Sequence, residues 1–104
     1  MAQLRRGDVF FADLGYKNRP YIVVQNNQMN KHRNKIIVVP MTSKIRAYLP
    51  THVVINYGKV RLSSVQCEEI THVSLDPRWR AVEHLPPDIM RHIDTALKIA
   101  LGLE

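Results

Sequence analysis

The sequence holds no acidic residue between Asp13 and Glu68. That gap is the most informative of several absences in its 104 residues. Cysteine occurs once, at Cys67, which excludes an internal disulfide and fits a reducing compartment. No apolar run approaches the roughly 18 residues that a membrane-crossing helix requires. The opening residues, MAQLRRGD, have no apolar core after their arginines and do not read as a secretion signal. A cytoplasmic protein without membrane contact is therefore expected. A glycine-rich phosphate loop, a G-x-S-x-G elbow and a Cys–His nucleophile pattern are all missing. The five histidines (His32, His52, His72, His84, His92) lack metal-ligand spacing. Neither a metal site nor a cofactor is expected. There is no repeat, low-complexity segment or linker, so residues 1–104 read as one domain. An apolar content of 45% is ordinary for a globular chain and argues against disorder.

What fills the acid-free interval is equally selective. It contains Lys17, Arg19, Lys31, Arg33, Lys35, Lys44, Arg46, Lys59 and Arg61, and all four tyrosines, Tyr16, Tyr21, Tyr48 and Tyr57. The net charge of +6 is thus concentrated in one half of the chain. A basic face with aromatic platforms suits a polyanion, and a flexible single strand better than a duplex. An acidic protein partner fits the same charge. No helix-turn-helix pattern supports a DNA-binding regulator.

Hydropathy patterning predicts mostly strands. Residues 7–14, GDVFFADL, form the first, and residues 15–18 a short turn. Pro20 cannot donate to a ladder and belongs at a strand start or an edge. The second strand, 21–25, is continuously apolar, so both its faces should be covered. A polar loop, 26–34, leads to the third strand, 35–41, where Pro40 marks a bulge or an edge position. THVVIN, 51–56, is a fourth strand, and 62–73 reads as a fifth. Asp76-Pro77 suggests a one-turn helix, DPRWR, and 81–85 a short last strand. Residues 88–101 carry Ile89, Ile93, Ala96, Leu97, Ala100 and Leu101 at the spacing of one helical face, with Gly102 as C-cap. The fold class is mainly β with a C-terminal α-helix packed on a small twisted sheet or partial barrel.

The segment 19–44, RPYIVVQNNQMNKHRNKIIVVPMTSK, pairs two of these strands. Pairing them as neighbours brings Arg19 to the same sheet edge as Thr42 and Ser43. A planar guanidinium beside two hydroxyls is an anion site. On the fifth strand, Val65, Cys67, Glu69 and Val73 share one face if the strand is regular. Glu69 would then be a carboxylate in an apolar row, with a raised pKa unless a cation pairs with it, and a candidate general base. The alternative is a bulge that turns Ile70 inward and leaves both glutamates in solvent. His72 and His52 are further candidates for proton transfer, although cross-strand packing accounts for either. Cys67 reads as a core residue.

Five stretches taken in order, RGDVFFADL, RPYIVVQNN, IIVVPMTSK, LPTHVVI and IDTALKIALGL, resemble the MazF/PemK toxins of bacterial toxin–antitoxin pairs. The resemblance covers nearly the whole chain. It implies an SH3-like small β-barrel with a C-terminal helix. It also implies a homodimeric, metal-independent endoribonuclease for single-stranded RNA, neutralised by an antitoxin with an acidic tail. The family's catalytic arginine falls on Arg19 and its catalytic threonine or serine on Thr42. Glu69 completes the catalytic candidates, and Tyr16, Lys17, Ser43, Lys44, Arg46 and His72 are the expected RNA contacts. Two stretches depart from the family pattern. Its longer "G-x-E-Q-x-G" loop is replaced by Gly15-Tyr16-Lys17-Asn18, and its "QIRT"-like stretch reads Glu69-Ile70-Thr71-His72. The alternative reading is a module of this fold that binds RNA or an acidic peptide with little or no catalysis.

Overall fold

The computed structural model describes residues 4–15, 17–30 and 34–103. The strands are β1 (Asp8–Asp13), β2 (Asn18–Val23), β3 (Lys35–Thr42), β4 (His52–Tyr57), β5 (Val60–Gln66), β6 (Thr71–Ser74) and β7 (Glu83–His84). A single helical turn, α1 (Asn27–Asn30), follows β2, and α2 (Pro87–Leu101) closes the chain. The described sheet runs β4-β5-β3-β2-β1-β7, with β6 also paired to β3. All these pairings are antiparallel. The expected mainly β architecture with a C-terminal helix is present.

Both faces of the central strands are covered, which explains their uninterrupted apolar runs. Successive side chains point to opposite faces. On one face Val9, Ile22, Val39 and Met41 join Val65, Cys67, Leu85 and the α2 residues Met90, Ile93 and Ala96. On the other, Phe10, Tyr21, Val23, Ile36 and Val38 form a second cluster, capped by Trp79 and Leu75. Trp79 lies 4.9 Å from Phe10 between ring centroids.

Pro40 sits where β3 changes partners. Val38 pairs with Thr71 of β6, whereas Met41 pairs with Val65 of β5. Pro40 has no N–H to offer a continuous ladder there. The expected single strand over 62–73 is therefore two strands. Between them the chain turns, with the Glu69 N–H donating to the Gln66 carbonyl at 3.0 Å. The regular alternation that would carry Glu69 into an apolar row stops at Cys67. Cys67 is fully buried, while Glu68, Glu69 and Ile70 are all exposed, so neither the regular strand nor the inward-turned Ile70 describes the segment.

DPRWR is a turn, not a helix. Asp76 accepts the Arg78 N–H at 2.8 Å and pairs with its guanidinium, an arrangement that closes on itself. Hydrogen bonds from Arg78 hold the Asp76 carboxyl down at about 2. Helix α2 begins at Pro87, which suits its first turn. It ends at Gly102, whose φ of 72° is left-handed, with the Leu103 N–H returning to the Lys98 carbonyl at 2.7 Å. Met90 is buried in place of Leu101, which is exposed. Arg6 ties the helix to the sheet, donating to the Val24 carbonyl at 3.0 Å and to Asp94.

Candidate active site

Arg19 and Thr42 lie at the ends of β2 and β3 and share one cavity. The ladder runs to Tyr21 opposite Pro40, and just beyond it Arg19 and Thr42 line the same cavity. Both are half-buried. The Thr42 hydroxyl oxygen accepts the Lys44 N–H at 3.2 Å, which fixes the oxygen and leaves its proton available to a ligand. The Arg19 guanidinium lies 5.9 Å from the Tyr21 ring centroid, within cation–π range. Its Nη2 donates to Gln66 Oε1 at 2.8 Å and to the Met41 carbonyl at 3.4 Å.

These residues open onto a cavity of about 520 Å³. One wall is Val9, Phe11, Lys17, Asn18, Arg19 and Pro20; the floor is Met41, Thr42 and Ser43. The opposite wall, on the β4–β5 hairpin, contributes Lys59, Val60, Arg61 and Ser63, with Val82 at the rim. Lys59, in the turn before β5, and Arg61, its second residue, both line the cavity. The hairpin is held from behind by Glu83, which accepts the Lys59 N–H at 3.0 Å. Gly58 suits this turn: its φ of 55° is left-handed, and a Cβ would come within 2.1 Å of Glu83 Oε2 and push that carboxylate away. Four cations and no carboxylate line the cavity among the described residues. No three His, Cys, Asp or Glu side chains among the described residues cluster as metal ligands.

Comparison with known proteins matches this architecture throughout. The profile of PemK-like, MazF-like toxins of type II toxin–antitoxin systems matches residues 5–101. The chain belongs to this family. It is 37% identical to Endoribonuclease EndoA of Bacillus subtilis (strain 168), over 96% of each chain. It is similar to a mycobacterial endoribonuclease solved in complex with its cognate antitoxin, at 32% identity, a TM-score of 0.87, and coverage of 99% of this chain and 98% of that one. A MazE–MazF structure from Deinococcus radiodurans shares the fold at a TM-score of 0.85 and 16% identity, covering 100% of both chains.

Among the residues that the family resemblance singled out, Arg19, Thr42, Lys17 and Ser43 line the cavity. Tyr16 lies outside the described residues. Lys44 and Arg46 follow Ser43 in the loop leaving the floor but do not line it. His72 is exposed on β6, paired with Ile37 at the far half of β3. Glu69 is exposed in the turn after β5 and does not line the cavity, because the chain leaves the β3 ladder at Gln66. His52 does not reach the cavity either. Its buried ring sits between Ser64 Oγ and Glu68 Oε2, at 2.9 Å from each. Burial alone would raise the Glu68 carboxyl, but hydrogen bonds from His52 and the neighbouring backbone outweigh it and hold the group below the usual carboxylate range. The Cys67 thiol is pushed up to about 12, chiefly by burial, and is inert as a nucleophile.

Sequence reasoning missed Gln66, Phe11 and the Lys59–Arg61 wall. The Lys59-x-Arg61 spacing inside the acid-free interval is a signal for the last of these. Gln66 carried none, since it stands 47 positions from the arginine it meets.

Proposed function

We propose that this endoribonuclease toxin cuts single-stranded RNA by attack of a ribose 2′-OH on the adjacent phosphorus, leaving a 2′,3′-cyclic phosphate and a 5′-OH. The observation that carries the reading is a cavity lined by Arg19 and Thr42, with four cations and no carboxylate among its described lining residues. Negative charge grows on the non-bridging oxygens as the phosphorane forms. Arg19 stabilises it at close range, and the Thr42 hydroxyl donates to one of those oxygens; the Ser43 hydroxyl supports the same group. Lys17, Lys59 and Arg61 neutralise neighbouring phosphates along the strand, and Lys44 and Arg46 extend this basic track beyond the floor. Phe11, 48% exposed on the cavity wall, offers a ring for an unstacked base. The chemistry needs charge stabilisation, which these side chains supply, and transfer of the 2′-OH proton, which falls to solvent, so that no metal is called for.

The same electropositive cavity suits the acidic tail of an antitoxin, which would occupy it in place of RNA. The mycobacterial relative is an endoribonuclease in complex with its cognate antitoxin. We assign the protein to a homodimer, supported by Tyr57 and Leu62, which remain 38% and 55% exposed on the β4–β5 hairpin. A cytoplasmic location is supported by the single buried thiol. No described helix is long and apolar enough to cross a membrane.

One observation favours a second reading, a binding module without catalysis: the described lining contains neither a carboxylate nor an imidazole for proton transfer. Incubation with a long RNA in EDTA, followed by 5′-end mapping, separates the two. The proposal expects discrete new 5′-OH ends, absent with Arg19→Ala. Intact RNA together with salt-sensitive binding would establish the module instead.

A further inference from the structure

We propose that Gln66 is a positioning residue: it aims the Arg19 guanidinium into the cavity and, being neutral, leaves its charge undiminished. This rests on the reading of the cavity as the site of RNA cleavage. A guanidinium carries only donors, so the side-chain atom facing it must be the amide oxygen of Gln66. Of the five N–H groups of Arg19, the two on Nη2 are turned toward protein acceptors, Gln66 Oε1 at 2.8 Å and the Met41 carbonyl at 3.4 Å. The N–H on Nε and the two on Nη1 have no partner among the described residues, and they are the donors left for a phosphate. One acceptor is main chain on β3 and the other is a side chain from β5. Together they fix the far end of a long, flexible side chain before substrate arrives. Ordering that chain during folding removes its cost from the reaction, which is the basis of preorganised charge stabilisation.

Gln66 is itself held firmly. It is half-buried at the end of β5, paired with His52 of β4, and its carbonyl closes the turn to Glu69. The choice of a neutral acceptor is the functional point. The next two residues after Cys67 are glutamates, yet Glu68 is turned to His52 and Glu69 is exposed. Arg19 makes no ion pair among the described residues. A carboxylate in place of the Gln66 amide would accept the same hydrogen bond more strongly. It would also cancel the positive charge that the phosphorane requires.

The test compares Gln66→Met, which removes the acceptor at similar length, with Gln66→Glu, which keeps it and adds charge. kcat and KM are measured on a single-stranded oligoribonucleotide. The salt dependence of affinity is measured on its 2′-deoxy analogue. Gln66→Met should lower kcat by roughly 10- to 100-fold, the cost of misplacing a catalytic group, with the salt slope unchanged. Gln66→Glu should lower kcat at least as far and make the slope shallower by about 0.7, one phosphate contact fewer. A merely structural glutamine would lower the melting temperature and leave both readouts unmoved. Wild-type kcat in folded Gln66→Glu overturns the proposal, and this near-isosteric variant decides it alone if Gln66→Met fails to fold. Arg19→Ala separates the two claims. If it cuts like wild type, the cavity reading itself fails. If it is inactive while both Gln66 variants match wild type, only the positioning role fails.

Discussion

Two polar clusters lie on either side of the Gln66 position, and they differ in what they leave unfinished. In the first, Arg19 is held by one nitrogen and keeps three N–H groups without a partner among the described residues, beside an open cavity. In the other, the buried His52 ring is saturated, with Ser64 on one nitrogen and Glu68 on the other, each at 2.9 Å. By residue type the His52 cluster has the stronger claim to chemistry, since it joins a hydroxyl, an imidazole and a carboxylate. Its members are nonetheless committed to each other, and Ser64 is fully buried. A saturated buried network holds strands together. A site for a ligand needs donors without partners and a route from solvent, which only the Arg19 cluster has.

The contrast can be broken by substitution. Arg19→Ala has the largest expected effect: a loss of about 10³-fold in cleavage rate, typical of removing a preorganised donor to developing charge. A fluorogenic oligoribonucleotide assay with the fold checked by circular dichroism reads it. Thr42→Ala should cost less, about 10²-fold in kcat, since a neutral hydroxyl donates one hydrogen bond to the same oxygens. Restoration of most of that rate by Thr42→Ser would attribute the loss to the hydroxyl. His52→Ala acts on the other cluster. It strands the buried Ser64 hydroxyl and should reduce unfolding stability by about 1–3 kcal/mol in a urea titration.

The smallest effect concerns Glu68 and sharpens the comparison through pH. Its folded-state pKa is depressed below the unfolded value, so its contribution is fully present above the unfolded pKa. That contribution disappears as pH falls through the folded pKa. Glu68→Gln should therefore lower stability at pH 7 and converge on wild type in strongly acidic solution. With the carboxylate side chain 38% exposed, solvent screening limits the difference to less than about 1 kcal/mol. A gap that widens on acidification would contradict the pairing.

Much of this was legible before the structure. The apolar run of the second strand, 21–25, demanded cover on both faces, and the two core clusters provide it. Pairing that run with the one at 36–39 as neighbours was enough to bring Arg19 and Thr42 to the same edge of the sheet, where both line one cavity. What escaped reading depends on strands far apart in sequence. The alternation Val65, Cys67, Glu69 runs in the sequence straight through a place where the chain turns, because the cause of the break lies on another strand, at Pro40. Glu69 thereby left the candidate site, and Gln66, at the last position before the turn, entered it. Local patterning contains neither fact, since both arise from β3 exchanging one neighbour for another.

The central claim is that the unsaturated Arg19 cluster performs the reaction while the saturated His52 cluster only supports it. The most direct test is the RNA cleavage rate of Arg19→Ala and His52→Ala side by side, at a temperature where both are folded by circular dichroism. The expected result is a loss of about 10³-fold for the first and a wild-type rate for the other. Wild-type cleavage by Arg19→Ala, or comparable losses in both, would contradict the account.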